Sequence, residues 1–418
     1  MLEFFKKKHP LRRENASLLA LDIGTDTVKA VICLHEEKKE LVIGVGKKKQ
    51  RPGDMQSGSV TDIASVIRNC QSAISEAEKM AGERAGGLIM GIAGELVKGA
   101  IFTSTYPRQD PEQKINFDEL NTIIHKLQWK AFDHIRSQLS HETGWNEIDL
   151  KLIHAAITDV RIDGYKISNP IGFQGKEVRM SFFNAFSPLI HYGVLQTIAA
   201  ELSTDLLAIT AEPYALAHCF SSDEKRGKSS IFIDIGGGTT DIAVVSDGIL
   251  QGTKMFAIGG KTFSKRLSQA LNVSFDEAED IKIAYASQEL EKQSQKIVQE
   301  CLRSDCDVWM QGVILTLGEF SEAELPPRIY LCGGGAFLPE LSVALQEREW
   351  IQSLPFPRKP SVTLLEPKHL LTMEDTTGML TTLQDVTPLA LAHLALDLFG
   401  EEKILGNVLR KVVRLMQV

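Results

Sequence analysis

Leu19-Ala20-Leu21-Asp22-Ile23-Gly24-Thr25-Asp26-Thr27, running on to Lys29-Ala30-Val31, returns in the second half of the chain as Ile231-Phe232-Ile233-Asp234-Ile235-Gly236-Gly237-Gly238-Thr239-Thr240-Asp241-Ile242-Ala243-Val244-Val245. Each copy is an apolar run ending in Asp, a glycine turn with hydroxyls, and a second apolar run. That pattern predicts a β-hairpin whose turn leaves backbone N–H groups free to hold an anion, with a carboxylate at its base. One such turn is equally an ordinary hairpin. Two of them, roughly half a chain apart, predict duplicated lobes closing on one polyphosphate from both sides.

The whole chain bounds this reading. Its 418 residues leave room for two or three domains. Apolar content of 43% and charged content of 24% are those of a soluble globular protein. A net charge of −8 argues against a general nucleic-acid binder. Six scattered cysteines include no Cys-x-x-Cys pair, so a zinc site is not expected and a reduced compartment is. No apolar run approaches the roughly 18 residues of a spanning helix. The lysines of Met1-Leu2-Glu3-Phe4-Phe5-Lys6-Lys7-Lys8 precede no long apolar core, so no secretory signal is expected and a cytosolic location is.

The elements around the two hairpins also repeat. After the first, residues 41–45 read as a third strand and 47–58 as a polar loop whose three lysines are a solvated turn. A helix follows, with Ile63, Val66, Ile67, Cys70 and Ile74 at helical spacing and Ser59 or Thr61 as its cap. After the second hairpin come a strand at 251–257 and a helix at 261–271, opened by Ile258-Gly259-Gly260. Between the copies, strands are predicted at 88–92, 99–104, 152–160, 165–167 and 177–185. A helix is predicted at 117–139 and a turn at Asn169-Pro170-Ile171-Gly172. This stretch has no counterpart later and reads as an inserted α+β subdomain. The first lobe resumes with a helix opening at Ser187-Pro188.

In a polyphosphate site, Asp22 and Asp234 hold Mg²⁺, usually through waters. Gly24, Gly236, Gly237 and Gly238 let backbone approach phosphate oxygens. Thr25, Thr239 and Thr240 add hydroxyl donors. A third cluster, Cys332-Gly333-Gly334-Gly335-Ala336, ends a strand and leads to a helix near Pro339. It is either a surface for a flat base or a plain strand–helix connection.

Taken together, the two D-x-G turns, Ala211-Glu212-Pro213-Tyr214-Ala215 and the late glycine turn resemble the actin, heat-shock chaperone and sugar-kinase ATPase superfamily. Within it the chain is similar to FtsA, the bacterial actin-like cell-division family. The carrying segments are 21–27, 57–62, 91–94, 163–175 and 233–243. The resemblance implies an α/β, two-lobed actin-like ATPase fold of duplicated ribonuclease-H-like lobes with an inserted subdomain. Residues 1–86 and 186–228 are expected to form the first lobe, 87–185 the insertion, and 229–282 with 328–399 the second lobe. Residues 283–327 are a shortened subdomain, with a polar helix at 287–303 and a further stretch at 307–320, and 404–418 a C-terminal amphipathic helix.

The same resemblance assigns Asp22, Gly24 and Thr25 to the first phosphate loop and Asp234, Gly236, Gly237, Gly238 and Thr239 to the second. Glu212 falls where the superfamily orients the attacking water; as a bare sequence feature it also complements a helix dipole. Glu279 and Lys282 resemble the ribose-contacting helix, although by spacing alone they are an exposed i, i+3 ion pair. Gly333, Gly334, Gly335 and Ala336 resemble the adenine-side turn. The implied chemistry is ATP binding with Mg²⁺ and slow or no hydrolysis. The implied partners are further copies of the chain in a filament, the tubulin-like FtsZ, and membrane lipid. Two departures stand out. Asp26 adds negative charge where small or hydroxyl residues are common, and the segment between Lys282 and Cys332 is far shorter than the family's partner-binding subdomain.

Residues 404–418 place Ile404, Leu405, Val408, Leu409, Val412, Val413, Leu415 and Met416 on one face and Asn407, Arg410, Lys411, Arg414 and Gln417 on the other. Such a basic amphipathic helix suits an anionic headgroup layer, or docks on the second lobe. The first alternative, which the family resemblance shares, gives a peripheral location on the cytoplasmic face of the cell membrane, at the division septum. Phe4-Phe5 with the lysines after them is a second interfacial candidate. Two other readings stay open: a scaffold like PilM of type IV pilus assembly, and a sugar or acyl kinase built on the same lobes.

Overall fold

The computed structural model describes residues 17–36, 39–94, 97–144, 146, 149–221, 228–320, 324–347, 349–399 and 404–416. The Phe4-Phe5 candidate and the connection at 400–403 lie outside the described residues. Both hairpins form. β1 (Leu18–Ile23), β2 (Thr27–Glu36) and β3 (Lys39–Lys49) run antiparallel. The short ribbon β4 (Met55–Gln56) and β5 (Ser59–Val60) leads to α1 (Ile63–Ala81) and then β6 (Leu88–Ile92). Next come β7 (Lys98–Pro107), α2 (Phe117–Thr143), β8 (Leu150–Ile162), β9 (Tyr165–Lys166) and β10 (Glu177–Pro188), followed by α3 (Leu189–Glu201), β11 (Leu206–Ala211) and α4 (Glu212–Ser221). The second hairpin is β12 (Ser230–Ile235) and β13 (Thr240–Ser246), continued by β14 (Ile249–Phe256), α5 (Gly260–Leu271), α6 (Phe275–Ala286) and α7 (Lys292–Gly318). β15 (Arg328–Cys332), α8 (Pro339–Ala344), β16 (Ser361–Leu364), β17 (Met373–Asp375), α9 (Val386–Phe399) and α10 (Ile404–Met416) complete the described chain.

The duplication is visible in the sheets. One has the order β11-β6-β1-β2-β3-β17; the other contains β16-β15-β12-β13-β14. In each, an antiparallel triplet is extended by two parallel strands. Correspondence reaches single residues: Asp22 lies beside Gly91 of β6, and Asp234 beside Cys332 of β15. The fold is thus an α/β one of two duplicated lobes, as the repeated hairpins predict, and it has the architecture that the resemblance implies.

Several expectations change in detail. Leu88–Ile92, read as the start of the insertion, hydrogen-bonds to β1 in the first sheet. All five of its residues are buried, as an apolar run covered on both faces requires. The rest of the insertion, β7-β10-β8-β9, continues the second sheet past β14 through the single pair Thr253–Gly99. Residues 328–399, read as one piece of the second lobe, divide: β15 and β16 stay there, whereas β17 pairs with β3 and α9 packs into the first lobe's core. Asp62, not Ser59 or Thr61, caps α1, accepting from Ser65 N at 3.0 Å. Ser187 is a strand residue, and α3 starts after Pro188 without a side-chain cap. The lysines at 47–49 belong to β3, and Lys47 donates to the buried Asp385 at 2.6 Å. The stretches at 287–303 and 307–320 are mostly one helix, α7, whose buried Trp309 donates from its indole to Thr240 at 2.9 Å.

His154 joins the insertion to the first lobe. Its Nδ1 lies 3.1 Å from Thr210 Oγ1, and its ring meets Tyr214 edge-on at 4.4 Å. Burial, with a smaller push from His218, lowers its pKa to about 3. An imidazole whose folded pKa is depressed leaves stability intact above its unfolded value near 6.5 and removes it as pH falls toward 3. Acidification from pH 6.5 to 5 is expected to cost about 2 kcal/mol through this residue. Denaturant titrations of wild type and His154→Gln at both pH values check this. Equal pH slopes in the two proteins would refute it.

Candidate functional site

The two glycine turns face one another across a cavity of about 340 Å³ between the lobes. Asp22, Gly24, Thr25, Glu212, Asp234, Gly236, Gly237 and Thr239 all line it, as do Glu279, Lys282, Gly333, Gly334 and Gly335. Gly238 and Ala336 do not. A Cβ at Gly238 would lie 2.9 Å from Thr25 Oγ1, so this glycine is where the two turns touch. Ala336 is buried in the second lobe's core behind the last turn.

Each lining group is placed by its element. Asp22 and Asp234 end their strands' inward-facing sides. Glu212 opens α4 at the end of β11. Gly333 adopts φ +85°, and a Cβ there would fall 2.2 Å from Asp234 Oδ1, so this turn requires glycine for conformation and for space. Glu279 and Lys282 are not the exposed pair that spacing suggests. Their side chains are only 13% and 12% exposed, and Lys282 donates to Glu279 Oε2 at 2.9 Å, Ser264 Oγ at 2.8 Å and Gly260 O at 3.0 Å. The apolar Ile283 and Phe337 remain about half exposed where they line the cavity.

Three charged residues escaped the sequence reading. In the first hairpin the residue opposite Asp22 is Lys29; in the second, the residue opposite Asp234 is Asp241. The turns have equal lengths, so counting back from each Asp across its turn finds both. Lys29 Nζ lies 3.5 Å from Asp22 Oδ2 and donates to Gln384 O at 2.6 Å. Burial works against its charge, but Asp22, Asp385, Asp234 and Glu212 together hold its pKa above the usual lysine value. Burial raises Asp22 and Asp234, and raises Glu212 strongly, with Asp22, Asp241 and Asp234 adding to the last. Asp241 accepts from Thr239 Oγ1 at 2.9 Å and is pushed up to about 7 by burial and Asp234. The third residue is Lys261, whose Nζ donates to Thr25 O across the cleft at 2.8 Å and sits 3.9 Å from Asp26 Oδ1. The anomalous Asp26 therefore faces a cation on the opposite lobe.

The base of the cavity thus gathers Asp22, Asp234, Asp241 and Glu212 around the ammonium of Lys29, with Lys98 also acting on Asp241. Buried carboxylates in such excess favour protons or an added cation. Among the described residues no three ligating groups converge into a protein-only metal centre. The donor set fits a hydrated Mg²⁺, which keeps waters and shares its remaining positions with phosphate oxygens. The glycine-lined turns above fit the anion such an ion accompanies.

Residues 231–357 match the model of the family described as Cell division protein FtsA. Cell division protein FtsA of Enterococcus hirae is 25% identical over 351 residues, which cover 79% of this chain and 75% of that protein. The chain is similar to FtsA. The FtsA of Streptococcus pneumoniae serotype 2 aligns over 417 residues at 22% identity, covering 95% of this chain and 88% of its own length. Among solved structures, a chain of a PilM-PilN type IV pilus biogenesis complex superposes with a TM-score of 0.65 at 15% identity, covering 92% of this chain and 98% of that one. That likeness is one of fold. The residues matched by the family model include α7.

Proposed function

We propose that this FtsA relative is an actin-like protein of bacterial cell division. It binds ATP with Mg²⁺ between its lobes, assembles into filaments, and tethers the division ring to the cytoplasmic membrane. The observation that carries the nucleotide reading is the pair of equivalent glycine hairpins, Asp22 and Asp234 at matching sheet positions, lining one cavity. Mg²⁺, when bound, neutralises phosphate charge and polarises the terminal phosphoryl group.

The chain's residues do the rest. Asp22 and Asp234 would hold the ion. The backbone of Gly24, Gly236 and Gly237, with Thr25 and Thr239, cradles phosphate oxygens, and Gly238 lets the two turns meet. Lys29 keeps the carboxylates at the base from repelling one another. Glu279 and Lys282 face the ribose, and the turn at 333–335 with Ala336 behind it supports the base. Burial and the neighbouring carboxylates push the Glu212 carboxyl well above the usual range; its role is to orient a water, in keeping with slow or no turnover.

Filament contacts, FtsZ binding through the shortened α6–α7 region and lipid binding through α10 accompany the family reading. Among the described residues no helix is long and apolar enough to cross a membrane, so the tether proposed is peripheral. Calorimetry with ATP and ADP, with and without Mg²⁺, tests the site, and sedimentation with ATP tests assembly. No uptake of adenine nucleotide would remove this function. Fast turnover dependent on a small-molecule acceptor would replace it with the kinase reading.

A further inference from the structure

The amphipathic α10 has a definite berth. Val408, Leu409, Val412 and Met416 are at most 8% exposed and join the insertion's own core, where α10 packs on α2 and β8. Arg410 reaches back to the end of α9, donating to Leu398 O and lying 4.8 Å over the Phe399 ring. Lys411 is exposed. Four of the apolar residues that sequence offers to lipid, Val408, Leu409, Val412 and Met416, are therefore covered by the protein itself.

The berth is imperfect. Gln128 of α2 and Asn184 of β10 are fully buried and share one hydrogen bond of 2.9 Å. Gln128 Oε1 and Asn184 Nδ2 have no partner. Met416 lies against Gln128, its Sδ 4.0 Å from Gln128 Nε2, and a thioether is only a weak acceptor. Buried polar atoms without partners disfavour the closed arrangement, and water satisfies them once the helix lifts.

From this we infer that α10 is a two-position lock: docked over Gln128 and its partner Asn184, with Met416 against Gln128, it conceals its apolar residues, and an anionic phospholipid surface competes for that same face. The inference rests on the membrane reading proposed above and adds its control. Binding to lipid removes α10 from α2 and opens the insertion's core face, so that tethering and the exposure of that face occur together. The polar pair beneath keeps the exchange within reach of a moderate attraction between basic side chains and anionic headgroups.

Vesicles of phosphatidylcholine with and without phosphatidylglycerol, added to the full chain and followed by co-sedimentation and hydrogen exchange, test it. The expected result is binding to the anionic vesicles alone, with faster exchange in α2 and β8 while α10 stays protected. The double variant Gln128→Met/Asn184→Leu, which lies off α10 and removes the unpaired atoms, is expected to bind about tenfold more weakly. Exchange in its α2 without vesicles reports whether it folds. Vesicle binding by wild type with unchanged exchange in α2 keeps the membrane reading and overturns the lock. So does unweakened binding by a folded double variant. No binding by wild type overturns both.

Discussion

Asp234→Asn is expected to lower the affinity for ATP measured with Mg²⁺ by 10- to 100-fold, while leaving the affinity measured with EDTA almost unchanged. A charge-assisted hydrogen bond contributes about 1.5–3 kcal/mol, and each 1.4 kcal/mol is tenfold. Asp234 carries such an interaction to the ion's waters in the proposed complex. The ligand-free protein should respond the opposite way. Asp234 is buried near Asp22 and Asp241, and its ionised form is disfavoured there. The amide is nearly isosteric, its oxygen still accepts from Thr387 Oγ1, and it brings no charge. The thermal midpoint without nucleotide should therefore hold or rise, and the shift given by Mg²⁺ with ATP should shrink. Asp22→Asn should behave alike for the ligand but gain less stability, because Asp22 already has Lys29 beside it. Calorimetry and thermal melts on the same samples separate the two effects. A full Mg²⁺-dependent gain in Asp234→Asn would show that this carboxylate does not serve the ion.

Lys29→Met is expected to be the most destabilising single change in the cavity, costing about 3–5 kcal/mol at pH 8, the usual result of removing one partner of a buried ion pair. The side chain is 11% exposed, and it is the buried ammonium beside Asp22, with Asp234, Asp385 and Glu212 also acting on it. The defect should depend on pH with a definite sign. Carboxyls whose folded pKa lies above the unfolded value give their full stabilisation below the unfolded pKa and lose it as pH rises through the folded one. Asp22, Asp234 and Glu212 are already raised by burial with Lys29 present, and removing the cation raises them further. The variant should recover as pH falls from 8 toward 5.5, against the acid loss that His154 produces in wild type. Urea titrations at the two pH values check it. A variant equally unstable at both would mean that Lys29 acts through packing and its bond to Gln384 O, not through charge.

How much of this was legible beforehand follows the range of the interactions. The glycine turns, the Asp at each strand end and the strand–strand–strand–helix repeat are local, and they were read from a few consecutive residues. Lys29 and Asp241 lay one step away: hairpin register puts them opposite the Asp residues that were found. Lys261 is harder, because its meaning depends on Thr25 and Asp26 in the other half of the chain. The Glu279–Lys282 pair looked solvated because i, i+3 spacing says which residues meet and not how deeply they lie.

The repeated motif, its turns and its paired carboxylates were determined by sequence alone, since backbone conformation at a glycine turn and the alternation of a strand are set by neighbouring residues. Tertiary structure decided which sheet received Leu88–Ile92, which lobe received α9, and what covered the apolar face of α10. An apolar run states only that a surface must leave water; burial has no direction along the chain, and any face of matching shape can supply the cover.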